Sequence, residues 1–310
     1  MKKIVGIGAN VCDTLINVPA FPHEDTKLRA NSITVCGGGP CATGLVAASK
    51  LGAEAAFIGT LTDDSAGKFL VADFERYGVS TEYIQTEPGY TSFNSFVILS
   101  EETTSRTCVF HRGNVPEKDL TEEQKNAIIN AEMLMVDGNN MKTAIEGAKL
   151  ARENGVNVLY DAGGLYEGVE KLLPYANILI PSEEFSLGFT GEKTAEAAAK
   201  KLFEMFNPDV VVITQGKRGG ICYDGKQLRE YPAIPVDKVI DSNGAGDVFH
   251  GAYAFALTKG YDYYKACLFS SGVSALKCTK VGARAAVPDF ETVIKFLKES
   301  GIDEFKEDLD

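Results

Sequence analysis

Between Leu120 and Thr214 the chain alternates helical runs with short extended runs. A helix over Glu122–Asn130 precedes a strand over Met133–Asp137, and a helix over Lys142–Asn154 precedes a strand over Asn157–Tyr160 that ends at Asp161. A short helix near Val169 leads to a strand at Ile178–Ile180; helices around Glu183–Gly188 and Ala195–Phe206 lead to Val210–Thr214. Parallel strands need a crossover between them, and a helix supplies it. The repetition therefore predicts an α/β fold: a doubly wound, mostly parallel sheet with helices on both faces.

The first hundred residues vary this theme. Lys3 to Ala9 reads as a short buried strand, with Asp13 just beyond its C-terminal end. Ligands of open α/β sheets collect at that end, so Asp13 is either a substrate contact or a turn residue. Leu15 to Val35 reads as irregular, apart from an extended Ile33–Val35, and Ala55–Gly59 and Val79–Ile84 read as strands. Thr91 to Leu99 and Arg106 to Phe110 alternate and are joined by Glu101-Glu102-Thr103-Thr104, which predicts an antiparallel hairpin. Such an insertion in a βα chain suggests a lid or a dimer interface. Tyr231 to Ile240 reads as extended, and the acidic tail Gly301–Asp310 as solvated.

With 310 residues, 45% of them hydrophobic and 24% charged, the chain suits one large domain. A net charge of −12 argues against nucleic acid or an anionic membrane as the main partner. The seven cysteines are odd in number and lack a C-x-x-C pair, which fits reduced thiols in a cytoplasmic protein better than disulfides or a structural zinc. The opening apolar run is too short for a targeting segment, and no run approaches a membrane span.

Asp241-Ser242-Asn243-Gly244-Ala245-Gly246-Asp247 stands before an apolar helical run, Val248–Leu257. A Gly-Ala-Gly turn leaves N–H groups pointing outward at a helix N-terminus, where the helix dipole favours an anion. Asp247 then lies in the first turn beside that anion. One account is proton abstraction from a hydroxyl about to attack phosphorus; the other is a well-capped helix with a glycine-rich entry. A second glycine-rich turn, Gly37-Gly38-Gly39-Pro40-Cys41-Ala42-Thr43-Gly44, opens a small-residue helix ending Lys50-Leu51-Gly52. No Walker-type G-x-x-x-x-G-K-[ST] and no G-x-S-x-G hydrolase elbow occurs. The Gly37–Ala42 string fits a loose dinucleotide pattern, with Asp63 at about the spacing of a ribose-binding acid. Of His23, His111 and His250, none has a catalytic setting; His250, one turn after Gly246, reads as a packed helix residue.

Together, Gly38-Gly39-Pro40-Cys41-Ala42-Thr43 and, two hundred residues later, Asp241–Asp247 resemble the ribokinase-like (PfkB) carbohydrate kinases over essentially the whole chain. The resemblance implies a single domain over 1–310, with a β lid formed by about 11–35 and 88–115. It implies that Asp247 is the catalytic base and that the amides of Gly244, Ala245 and Gly246 form the anion hole for the γ-phosphoryl group. Asp13, Gly38, Gly39 and Thr43 match positions that hold the sugar, with Thr43 where the family often has Asn. Thr214, Gly216 and Gly219 match the nucleotide-side loop, and Lys277, Gly282 and Ala283 the segment bordering adenine. Ser182-Glu183-Glu184-Phe185 aligns with the motif that orders magnesium, leaving Glu183 or Glu184 as its carboxylate. Asp241 and the Lys280–Arg284 loop match a monovalent-cation region.

Arg106 and Arg112 lie in or just after the hairpin, either as surface cations balancing Glu101, Glu102 and Glu117 or as readers of an anionic group on the acceptor. Asn94, Asn139 and Asp161 are further polar candidates near strand ends. The expected activity is transfer of the γ-phosphoryl group of ATP, with Mg2+ and a K+-type cation, to a primary hydroxyl of a small sugar such as ribose or fructose. A nucleoside kinase, with Phe93, Phe96 and Phe110 clamping a base, is the alternative; a dinucleotide-binding oxidoreductase is a more distant one. An apolar hairpin makes a lid-to-lid homodimer an expectation.

Overall fold

The computed structural model describes residues 3–103 and 105–305, so residues 306–310 of the expected acidic tail, and Thr104 of the hairpin connector, lie outside the described residues. Strand β1 (Lys3–Ile7) runs through the middle of a nine-stranded sheet. Strands β4 (Glu54–Phe57) and β6 (Val79–Ser80) continue the sheet on one side in parallel. On the other side β10 (Met133–Val136), β11 (Asn157–Ala162), β12 (Ile178–Pro181) and β13 (Val210–Thr214) follow, also in parallel. The hairpin β14 (Gly220–Tyr223) and β15 (Leu228–Tyr231) closes that edge antiparallel. Parallel strands buried on both faces read as continuous apolar runs, as Met133–Val136 and Val210–Ile213 do.

A separate four-stranded sheet holds β2 (Val11–Val18), β3 (Ser32–Gly38), β8 (Asn94–Ser100) and β9 (Arg106–His111) in the order β3-β2-β8-β9. It consists of two antiparallel pairs joined by a parallel β2–β8 contact. Here the chain departs from the sequence expectation: Asp13 lies within β2 rather than beyond β1, and the stretch to Val18 is strand. Asp13, Thr14 and Asn17 interrupt the apolar alternation of β2, which hides it from a pattern search. A short parallel pair, β5 (Gly59–Thr62) with β7 (Ile84–Glu87), completes the strands, so the single strand expected over Val79–Ile84 is two. The extended reading of Tyr231–Ile240 fails after Tyr231: Pro232 and Pro235 have no N–H for a ladder.

Helices α1 (Pro40–Leu51), α8 (Ala245–Thr258), α9 (Tyr263–Lys277) and α10 (Phe290–Glu299) bury their apolar sides on one face of the large sheet. Helices α3 (Glu122–Ile129), α4 (Met141–Glu153), α5 (Val169–Leu172), α6 (Glu183–Thr190) and α7 (Ala195–Phe206) cover the other. Helix α2 (Ser65–Arg76) packs beside β2. Local chemistry sets the helix ends. Thr121 and Gln124 form a reciprocal capping box on α3, and Asp289 accepts the Thr292 N–H of α10 at 2.8 Å. Helices α1 and α8 cross with almost nothing between them: a Cβ on Gly251 would stand 2.0 Å from the Gly44 carbonyl oxygen. That crossing holds the two glycine-rich helix starts side by side. Among the described residues no helix is long and apolar enough to cross a membrane.

Candidate active site

The C-terminal parts of β11 and β12 lie beside the start of α8, where Asp161 and the Ile180 carbonyl both stand close to the His250 ring. The turn that enters α8 is fastened by Asp241. Its Oδ1 accepts the Asn243 N–H at 2.8 Å and its Oδ2 accepts the Gly282 N–H at 2.9 Å. Lys277, wholly buried, donates to the Asp241 carbonyl at 2.7 Å. Gly244 caps α8 at φ 73°, and a Cβ there would meet the Ala283 Cβ at 2.5 Å, so both conformation and space require glycine. The Ala245 N–H is drawn into the turn by the Ser242 carbonyl at 3.3 Å. The amides of Gly244, Gly246 and Asp247 have no partner among the described residues. The open donors are therefore these three, a correction of the Gly244-Ala245-Gly246 set. A Cβ on Gly246 would meet nothing within 4 Å, so this amide faces open space.

The Asp247 carboxyl is pushed up to about 7, first by burial and then by the neighbouring Asp161, while His250 opposes the shift. Asp161, at the end of β11, is buried, and its own pKa is raised well above the ordinary carboxylate value by burial and by Asp137. His250 sits one turn below Asp247 with Nδ1 2.6 Å from the Gly246 carbonyl, Nε2 2.9 Å from the Ile180 carbonyl, and Asp161 Oδ2 3.1 Å from Nδ1. Burial lowers the His250 pKa against the pull of those carbonyls and of Asp247. A neutral ring has one proton for two carbonyl oxygens; the imidazolium satisfies both. His250 is packed, as expected, but it ties the first turn of α8 to the end of β12.

On the acceptor side Ser95 donates to Asp13 Oδ1 at 2.5 Å, and burial raises the Asp13 pKa. A Cβ on Gly38 would fall 1.9 Å from Asp13 Oδ2, so the bare glycine makes room for that carboxylate. Thr43 is fully buried on α1, and its hydroxyl has no protein partner. Asp137, at the tip of β10, organises the surrounding backbone. It accepts the N–H groups of Ala9 at 2.8 Å and of Cys41 and Asn139 at 2.9 Å, which fixes the mouth of α1 to β1 and β10. Burial raises its pKa against those bonds. Arg112 donates to Asn139 at 2.8 Å and lies over the rings of Phe93 and Tyr166, with no carboxylate partner among the described residues. The balancing role with Glu101, Glu102 and Glu117 is not found for Arg112.

On the nucleotide side Thr214 ends β13 beside Ser182, and Gly216 lies in open space. A Cβ on Gly219 would press 2.0 Å from the Tyr231 carbonyl, so that glycine serves the hairpin's close approach. Gly282 and Ala283 lie against the α8 turn as described. Lys277, which the resemblance places in the segment bordering adenine, is buried and gives its ammonium to the Asp241 carbonyl, so it supports the turn. Glu183 accepts from Gln215 at 2.7 Å and pairs with Arg218, whereas Glu184 has no partner among the described residues. Asp63 accepts the Gly89 N–H, and Gly37 and Gly38 end a strand of the small sheet. The strand–turn–helix unit of a dinucleotide fold is therefore not what holds this glycine turn.

Sequence reasoning missed Asp137, Asn10 and Arg284. Asp137 carried a signal, a carboxylate at the end of a strand otherwise of Met, Leu and Val. Arg284 is buried and reaches Asp73, Asn10 and Gly38, contacts that no local pattern announces.

Comparison with known proteins supplies the family. The pfkB family carbohydrate kinase profile matches residues 1–289. The ribokinase of Haemophilus influenzae is 26% identical over 303 residues, covering 96% of this chain and 99% of that protein. The ketohexokinase of Mus musculus is 27% identical over 290 residues, covering 89% and 96%. Among solved structures, the ribokinase of Thermotoga maritima superposes with a TM-score of 0.83 at 25% identity, covering 96% of this chain and 100% of that one. The Arabidopsis thaliana ribokinase, solved with ribose and ATP, shares the fold at a TM-score of 0.87 and 24% identity, covering 96% and 99%. The chain belongs to the pfkB family of carbohydrate kinases, phosphotransferases with an alcohol acceptor.

Proposed function

We propose that this sugar kinase transfers the γ-phosphoryl group of ATP to a primary hydroxyl of a ribose- or fructose-like sugar, with Asp247 as the base. The observation that carries the reading is the α8 N-terminus, where three unpartnered amides stand beside a carboxylate whose pKa is about 7. The amides of Gly244, Gly246 and Asp247 hold the moving phosphoryl oxygens, each well-placed donor being worth about 3–4 kcal/mol. Asp13 accepts hydrogen bonds from the sugar hydroxyls, and Gly38, Gly39 and Thr43 form the floor beside it. Arg112 donates to an oxygen of the acceptor at the mouth. Thr214, Gly216, Gly282 and Ala283 border the nucleotide.

Magnesium is held by few protein ligands and by the phosphates, and Glu184, which has no partner among the described residues, is free to supply one carboxylate. When bound it neutralises phosphate charge. The Asp241 carboxylate, which the resemblance gives to a K+-type cation, is already bonded to the Asn243 and Gly282 amides, and the Lys277 ammonium stands 3.8 Å from it. The four-stranded sheet, with the segments 11–35 and 88–115, acts as a lid that excludes water from the transfer. Its face opposite Asp13 exposes Ile33, Val35, Phe96 and Val109, which supports a homodimer through the lid. Phe96 on that outer face is turned away from Asp13, which removes one of three rings from the base clamp of a nucleoside kinase.

Replacing Asp247 with Asn tests the base. Turnover in an ADP-release assay over sugars, phosphosugars and nucleosides should fall about 10²–10⁴-fold, with ATP binding retained. Near-normal turnover would sink the assignment.

A further inference from the structure

A cavity of about 230 Å³ lies beside the acceptor side, lined by Asn10, Gln85, Phe93, Arg112 and Asn139 among others. Asn10 is buried, at 5% exposure, and its Nδ2 has no hydrogen-bond partner. Its orientation is chemically forced. Arg284 Nη2 donates to Asn10 Oδ1 at 2.9 Å, and a guanidinium has only donors, so the amide oxygen must face it and the NH2 must face away. Arg284 is itself immobile. It is 2% exposed, pairs with Asp73 at 2.6 Å, donates to the Gly38 carbonyl at 2.6 Å, and lies over the Phe74 ring. Its Nη1 would stand 2.0 Å from a Cβ on Gly37, which accounts for the first glycine of that turn.

A buried donor left unmet is costly to keep, so its retention asks for a ligand atom. We infer that Asn10 is a specificity-determining residue, which donates its Nδ2 to an oxygen of the acceptor remote from the reacting hydroxyl, and that Arg284 is the positioning residue that holds the amide in that sense. This rests on the kinase reading above. It selects sugars that carry an oxygen at that position over the corresponding deoxy sugars. Gln85, whose Oε1 is also buried without a partner, adds an adaptable second amide on the same wall.

The test compares D-ribose and D-fructose with their mono-deoxy analogues, reading kcat and KM by ADP release in wild type, Asn10→Asp and Arg284→Lys. Asn10→Asp keeps an oxygen for Arg284 and removes the donor. In wild type, loss of one non-reacting hydroxyl should raise KM tenfold or more. In Asn10→Asp the parent sugar should show the same rise and the analogue no further one, with the KM for ATP unchanged. Arg284→Lys keeps a cation for Asp73 but cannot hold Asn10 and Gly38 together, so it should lose the same discrimination, in KM more than in kcat. Thermal unfolding confirms that each variant is folded, with Asn10→Ala replacing an Asn10→Asp that is not. A folded Asn10 variant that keeps wild-type KM values and discrimination overturns the inference and leaves the kinase reading standing. A wild-type protein that phosphorylates none of the sugars overturns both.

Discussion

Asp247 and His250 lie one helical turn apart and share a buried field with Asp161, and their behaviour with pH follows from that. The base must be ionised to accept a proton. With its pKa at about 7, kcat/KM should fall about tenfold per unit as pH drops below that value, and level off above it. His250 lowers the Asp247 pKa. His250→Asn removes that help, so the acid limb of the profile should move to higher pH while the alkaline plateau largely recovers. A limb that stays in place would show that His250 acts only by packing. The turn that enters α8 was legible in the sequence because the motif that builds it, Asp241 to Asp247, is contiguous. Asp137 and Arg284 were not: apart from Asn139, their partners stand 96 to 274 positions away, and an isolated polar residue in an apolar run gives no hint of what it meets there.

At the scale of elements, the crossing of α1 and α8 makes the acceptor side and the anion site one rigid piece. Gly251→Ala places a methyl group against the Gly44 backbone, which cannot yield as a side chain would. Overpacking of this kind costs about 1–3 kcal/mol, and the expected result is a lower melting temperature together with a loss of kcat. Gly246→Ala is the contrasting variant, because its methyl group meets nothing in the protein. It should melt near wild type and still lose turnover, since in the proposed mechanism the added group stands where the phosphoryl oxygens pass. Equal melting of the two would contradict the crossing's role. The helices and parallel strands were legible from their period. Strand β2 was not, because a sheet with one open face tolerates the polar residues that break its alternation.

Across the whole molecule, the large sheet is packed between two layers of helices, while the small sheet leaves one face open. The exposed row of Val35, Phe96 and Val109 is the kind of apolar patch that marks an interface. Phe96→Lys should halve the solution mass seen by light scattering without changing ATP binding; a wild-type protein that is already monomeric rules the dimer out. The order of assembly follows from Arg284. Asn10 and Gly38 are made early, yet the guanidinium that orients them comes from the last tenth of the chain. A chain still on the ribosome carries the entire parallel sheet and the nucleotide loop long before it can shape its acceptor pocket. The pocket proposed for the acceptor therefore takes its shape only once Arg284 has been made, after every strand of the large sheet.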